Sequence, residues 1–99
     1  MIDQDSDFNG ESYRKKPLGG TETAFVLLAE SLSKLGHEVI ALTKSLETIE
    51  YKGVFWKPLQ TKIKECDIYI INRAPGLLDN APKNKQTILW LHNPANYLN

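Results

Sequence analysis

The residues best placed to do chemistry are Gly19-Gly20-Thr21, Arg73 and His92. The glycine pair lets backbone approach a ligand with no Cβ in the way. The segment behind it reads as a helix, whose first N–H groups and partial positive charge suit a phosphate or diphosphate oxygen. The pair lacks the third glycine of a dinucleotide fingerprint, and a plain loop-to-helix turn is the competing reading. His92 precedes Asn93-Pro94 at the expected C-terminal end of a strand, where open α/β sheets bind ligands. An imidazole there can carry a proton or donate to a sugar hydroxyl or phosphate, or it can be satisfied by local backbone. Arg73 ends another apolar run and can clamp an anion or form a surface ion pair. His37 reads as a surface residue at the negative end of the helix. Trp56 and Trp90 read as packing rather than as sugar-stacking platforms.

These residues need elements to hold them. Phe25, Leu28, Leu32 and Leu35 recur at helical spacing, with Val26 and Ala29 widening the stripe. Thr21 is the expected N-cap, Glu22 suits the first turn, and Gly36 is the expected stop. Short, nearly continuous apolar runs at 38–43 and 67–72 read as strands buried on both faces. Residues 49–56 read as a weaker strand interrupted at Lys52-Gly53, and 87–91 as a last strand. Residues 58–65 read as a short helix or turn, and a short irregular helix is expected around Leu77 and Leu78. Residues 1–18 read as loop or disorder; Arg14-Lys15-Lys16 is then a solvated loop. The order predicts an α/β layered domain with a mainly parallel sheet. In a doubly wound sheet the strand before the glycine turn is central. Here Met1-Ile2 is at most its tail, so the domain is expected to lack its first strand.

The 99 residues fit one domain. Twelve Lys and Arg balance twelve Asp and Glu, which argues against nucleic acid and against a polybasic membrane contact. No apolar stretch is long enough to span a bilayer and no signal-peptide pattern is present, so a cytoplasmic setting is expected. Cys66 is the single cysteine; it reads as a buried, inert thiol, and no metal site is expected.

The stretch from Gly19 to Val39, GGTETAFVLLAESLSKLGHEV, resembles the N-terminal domain of retaining GT-B glycosyltransferases (glycosyltransferase family 4-like, group 1). In that family a Gly-Gly loop opens a helix with a Leu-Ala-x-x-Leu pattern, and Gly-His-Glu-Val leads into the second strand. Ile88 to Pro94, ILWLHNP, resembles the later strand that ends in a histidine beside the acceptor cleft. The resemblance implies a partial Rossmann-like, acceptor-side domain. It implies a parent enzyme of hexosyltransferase type that moves a sugar from a nucleotide-sugar donor to an acceptor with retention. The Gly-Gly loop would face the donor diphosphate, so Gly19 and Gly20 take that role, and His92 would sit beside the transferred sugar; Thr21 and Arg73 join them as anion-binding candidates by their positions, not by the resemblance. The donor is a substrate and no resident cofactor is implied. The C-terminal domain that holds most nucleotide contacts is the missing partner, so the 99-residue chain alone is expected to be inactive.

Two other readings compete. One is a non-catalytic, truncated α/β module acting through a partner chain. The other is a nicotinamide dinucleotide enzyme, which expects a complete glycine fingerprint and an acidic residue ending the second strand. That strand ends Leu42-Thr43-Lys44 instead.

Overall fold

A computed structural model describes residues 1–4, 7–15, 19–73 and 81–90. Along the chain come α1 (Gly10–Lys15), α2 (Gly20–Lys34), β1 (Val39–Thr43), β2 (Ile49–Tyr51), β3 (Val54–Pro58), β4 (Ile68–Asn72) and β5 (Gln86–Trp90). The fold is mixed α/β with parallel strand pairs. β1 runs parallel to β3, β3 antiparallel to β2, and β4 parallel to β5.

The N-terminal residues join these two groups. Ile2 bridges in parallel to Leu42 of β1 and to Ile71 of β4. Its N–H donates to the Ile70 carbonyl at 2.9 Å and its carbonyl accepts from the Asn72 N–H at 2.9 Å. On the other side the Asp3 N–H donates to the Leu42 carbonyl, and the Leu42 N–H to that of Met1, both at 2.9 Å. The spatial order is therefore β2-β3-β1-(residues 1–3)-β4-β5. Residues 1–3 thus lie between β1 and β4 in the middle of the order.

Side chains alternate across this sheet. Val39, Ala41, Val54 and Trp56 face α2 and pack with Phe25, Val26, Ala29 and Phe8. Ile2, Leu42, Tyr69 and Ile71 form a second cluster, with Ile40, Leu59, Ile63, Cys66 and Leu89 half-buried against it. Cys66 is thus only partly buried, unlike the expectation; desolvation still raises its thiol above the usual pKa.

α2 ends as expected. Gly36 takes φ +98, the Gly36 N–H donates to the Ser33 carbonyl and the His37 N–H to that of Leu32. These are the paired bonds that close a helix when a left-handed residue follows it. Its buried face is rotated from the expected one. Phe25, Val26, Ala29 and Glu30 are buried, whereas Leu28 is half-exposed and Leu35 is 76% exposed. Glu30 can be buried because Arg14 forks onto it at 2.8 and 3.0 Å, and that guanidinium lies over the Tyr51 ring. A leucine-counting stripe misses a carboxylate whose partner comes from another helix.

That other helix corrects the reading of residues 1–18. Asn9 and Ser12 exchange reciprocal 2.8 Å bonds between backbone N–H and side-chain oxygen, a capping box that starts α1. Phe8, just before it, is 1% exposed, and its carbonyl accepts from Thr43 Oγ1 at 2.6 Å. Residues 49–56, expected as one weak strand interrupted at Lys52-Gly53, break at those two residues, but into two antiparallel strands. Lys52 (φ 51) and Gly53 (φ 80) make a two-residue turn between β2 and β3, the geometry that suits the twist of a hairpin. Beyond β3 the chain turns, with the Thr61 N–H on the Pro58 carbonyl. The region around Leu77 and Leu78 lies outside the described residues.

Candidate functional site at the strand termini

In a parallel sheet the strands finish together, so residues 3 and 73 and the start of α2 reach one rim. Asp3 follows Ile2 in the centre of the sheet. By alternation it shares the α2 face with Met1, as Asn72 does with Ile70. Both are fully buried.

Gly19 is the N-cap of α2, with φ −64 and ψ 168. This corrects the assignment to Thr21, which is the second helical residue and half-buried. A threonine cap would have to accept from the helix N–H groups with its hydroxyl. Here Glu22, three residues past the cap, reaches back instead, and its Oε2 accepts the Gly19 N–H at 3.2 Å. Neither glycine is demanded by a left-handed φ. A Cβ on Gly20 would meet nothing within 4 Å, and one on Gly19 would meet first the movable end of Glu22. Both glycines are exposed.

Arg73 follows β4 with φ 67, a left-handed conformation uncommon for a side-chain-bearing residue. Its N–H donates to the Trp90 carbonyl at 3.1 Å. Nη2 donates to Asp3 Oδ2 at 2.7 Å and Nη1 to Glu22 Oε1 at 3.1 Å. Asn72 Nδ2 donates to the same Asp3 oxygen at 2.5 Å. Arg73 is thus neither a free clamp nor a surface ion pair. It is a strut between a buried carboxylate at the sheet centre and the first turn of α2. The chemistry this permits is anion recognition by guanidinium and backbone N–H groups side by side.

Of the five residues singled out from the sequence, Gly19, Gly20, Thr21 and Arg73 come to this rim. β5 also ends there, with Trp90 opposite Asn72; His92, two residues on, lies outside the described residues. Asp3, Asn72 and the bridging role of Glu22 were not foreseen as site features. The available signal was an acid directly after the apolar strand tail Met1-Ile2, which a strand reading puts at the terminus.

Among the described residues no group of His, Cys, Asp and Glu side chains suits a metal ion, and no helix is long and apolar enough to cross a membrane. Comparison with protein-family models, with curated proteins and with solved structures returns no match.

Proposed function

We propose that this rim is the diphosphate-facing part of a sugar-transfer cleft, and that the chain is a Rossmann-like, acceptor-side portion of a retaining GT-B glycosyltransferase. In this reading Gly19, Gly20, Thr21 and Arg73 meet the donor diphosphate, and His92 meets the transferred sugar. A nucleotide-sugar is the donor substrate and a second domain completes the cleft. The observation that carries the reading is the meeting of Gly19 and Arg73 on Glu22, beside glycines that the fold itself does not require. The strand order supports it. Residues 1–3 are central, the chain passes first to β1 on one side and later to β4 on the other, and ligands of doubly wound sheets bind where the order reverses. The Gly19–Val39 resemblance supports it too, with α2, its glycine stop and β1 in the order that stretch implies.

Magnitudes limit what this part does alone. A helix N-terminus contributes about 0.3–2 kcal/mol to an anion, and a hydrogen bond to a charged group about 1.5–3 kcal/mol. Millimolar binding needs about 4 kcal/mol and micromolar about 8. The chain is therefore expected to hold pyrophosphate at millimolar strength and to transfer no sugar. Turnover of any nucleotide-sugar by the purified 99-residue protein would remove the fragment reading.

Gly20→Val tests the site directly. The new side chain has open space in the fold, so the melting temperature stays close to that of the original chain. It occupies the approach to the first N–H groups of α2, so pyrophosphate affinity in a phosphorus NMR titration falls at least about tenfold, or about 1.4 kcal/mol. Equal affinity would take the phosphate role away from the glycine pair.

A further inference from the structure

A second site lies at the opposite end of the sheet from the rim, where the strands begin. Ile2 stands opposite Leu42 of β1 and Ile71 of β4, which places Met1 level with Ala41 and Ile70. β1 and β4 start two residues earlier, at Val39 and Ile68. Both are bonded to residues 1–3, so they stand two ladder spacings apart, about 9–10 Å. Between their first residues is a slot one strand wide. It opens into a cavity of about 1210 Å³ whose lining includes Met1, Val39, Ile40, Ile68, Tyr69 and Ile70. The walls carry pairing groups. Alternate residues of a strand aim both backbone groups to the same side. Ile40 and Leu42 bond toward residues 1–3, as do Ile70 and Asn72. The N–H groups of Ile40 and Ile70 and the Ile68 carbonyl therefore face the slot. Among the described residues no further backbone bond joins β1 to β4 there.

A buried amine closes the slot. The Met1 ammonium donates to the Ile40 carbonyl at 2.8 Å, and among the described residues no carboxylate pairs with it. Burial pushes its pKa down to about 6. We propose that this slot binds the C-terminus of an extended, apolar peptide, which runs parallel to β1 and β4 and ends with its carboxylate on the Met1 ammonium. Its backbone pairs with Ile40, Ile68 and Ile70, the bonding by which a sheet takes up an added strand. Its side chains alternate between two faces. One face offers Ile40 and Tyr69, the other Val39 and Ile68, and Ile68 has 47% of its surface still to cover. Apolar side chains suit both faces. The amine selects the chain end: a carboxylate favours its charged form, whereas an amide or a mid-chain segment leaves a buried amine without a counter-ion.

The test uses the 99-residue chain and one peptide, Ac-Ser-Val-Ile-Val-Val, as the free acid and as the C-terminal amide. The free acid is expected to bind with a Kd of about 1 mM or tighter in an NMR titration. The amide is expected to bind at least about tenfold more weakly, because the buried amine gains no counter-ion. With the acid at about ten times its Kd, hydrogen exchange at the Ile40 and Ile70 amides is expected to slow about tenfold. Absence of binding by either form at about 10 mM would overturn the proposal. Equal affinity of acid and amide would do the same, since the Met1 ammonium then plays no part. Binding that leaves exchange at Ile40 and Ile70 unchanged would also sink it, as contact with apolar surface elsewhere.

Discussion

Phe8→Ala is expected to cost about 3–5 kcal/mol of folding stability, the range for truncating a fully buried phenylalanine. Phe8 is 1% exposed. Its ring stands edge-on to Phe25 at 5.4 Å and to Trp56 at 6.0 Å, a geometry that adds to simple burial. It is the point where the segment before α1 enters the core. A domain of this size has about 5–15 kcal/mol in total. The loss should lower the melting temperature by on the order of 20 °C, since about 1 kcal/mol moves it 4–8 °C. A change under about 5 °C in a circular dichroism melt would mean that residues 7–15 do not pack on the sheet.

Asp3→Ala is expected to cost about 3 kcal/mol, at the low end for breaking a buried ion pair by removing one partner. Asp3 has no exposed surface. Its loss removes the carboxylate oxygen to which Asn72 Nδ2 and Arg73 Nη2 both donate at the sheet centre. The cost stays at the low end because Arg73 keeps Glu22 and 23% of its side chain in water. Lys85→Ala is the internal control: its pair with Asp67 spans 3.5 Å with both side chains more than four-fifths exposed, and such pairs contribute little. Urea midpoints compared at constant slope separate the two. If the two variants shift alike, the rim network is not a structural strut.

The difference between these residues explains what the sequence made legible. β1 and β4 are continuous apolar runs, and such runs are read correctly because burial on both faces leaves no room for polar residues. The end of α2 was legible because Gly36 is a glycine for a local reason. Phe8 and α1 were not, because a six-residue helix shows too few turns for periodicity, and its start signal, Asn9 with Ser12, looks like any polar loop. The break at Lys52-Gly53 is legible, but not that the chain folds back there as a hairpin, because Lys52 takes a positive φ that its residue type does not announce. Glu30 was missed because its burial depends on Arg14, sixteen residues away.

The rim divides in the same way. Gly19, Gly20 and Arg73 stood out by residue type and by their position at the end of runs. Their meeting on Glu22 depends on tertiary structure, since Glu22 and Arg73 lie 51 residues apart. The N-cap assignment went to Thr21 because a hydroxyl is the stronger local signal. The structure instead starts the helix at the glycine and lets a glutamate close it from behind.

The position of residues 1–3 has a consequence for how the molecule breathes. Among the described residues, the backbone hydrogen bonds that couple β1 to β4 all pass through this short splice, whose partners lie about 40 and 70 residues further along. Detaching it parts the sheet into two leaves while each leaf keeps its own ladder, so it is the natural hinge for sub-global opening. Arg73 crosses the same line, tying one leaf to the helix that rides on the other. A dianion seated between Arg73 and the α2 amides would act as a clasp over the hinge. Occupancy and resistance to opening would then rise together, as mass action requires of any ligand that favours the closed form.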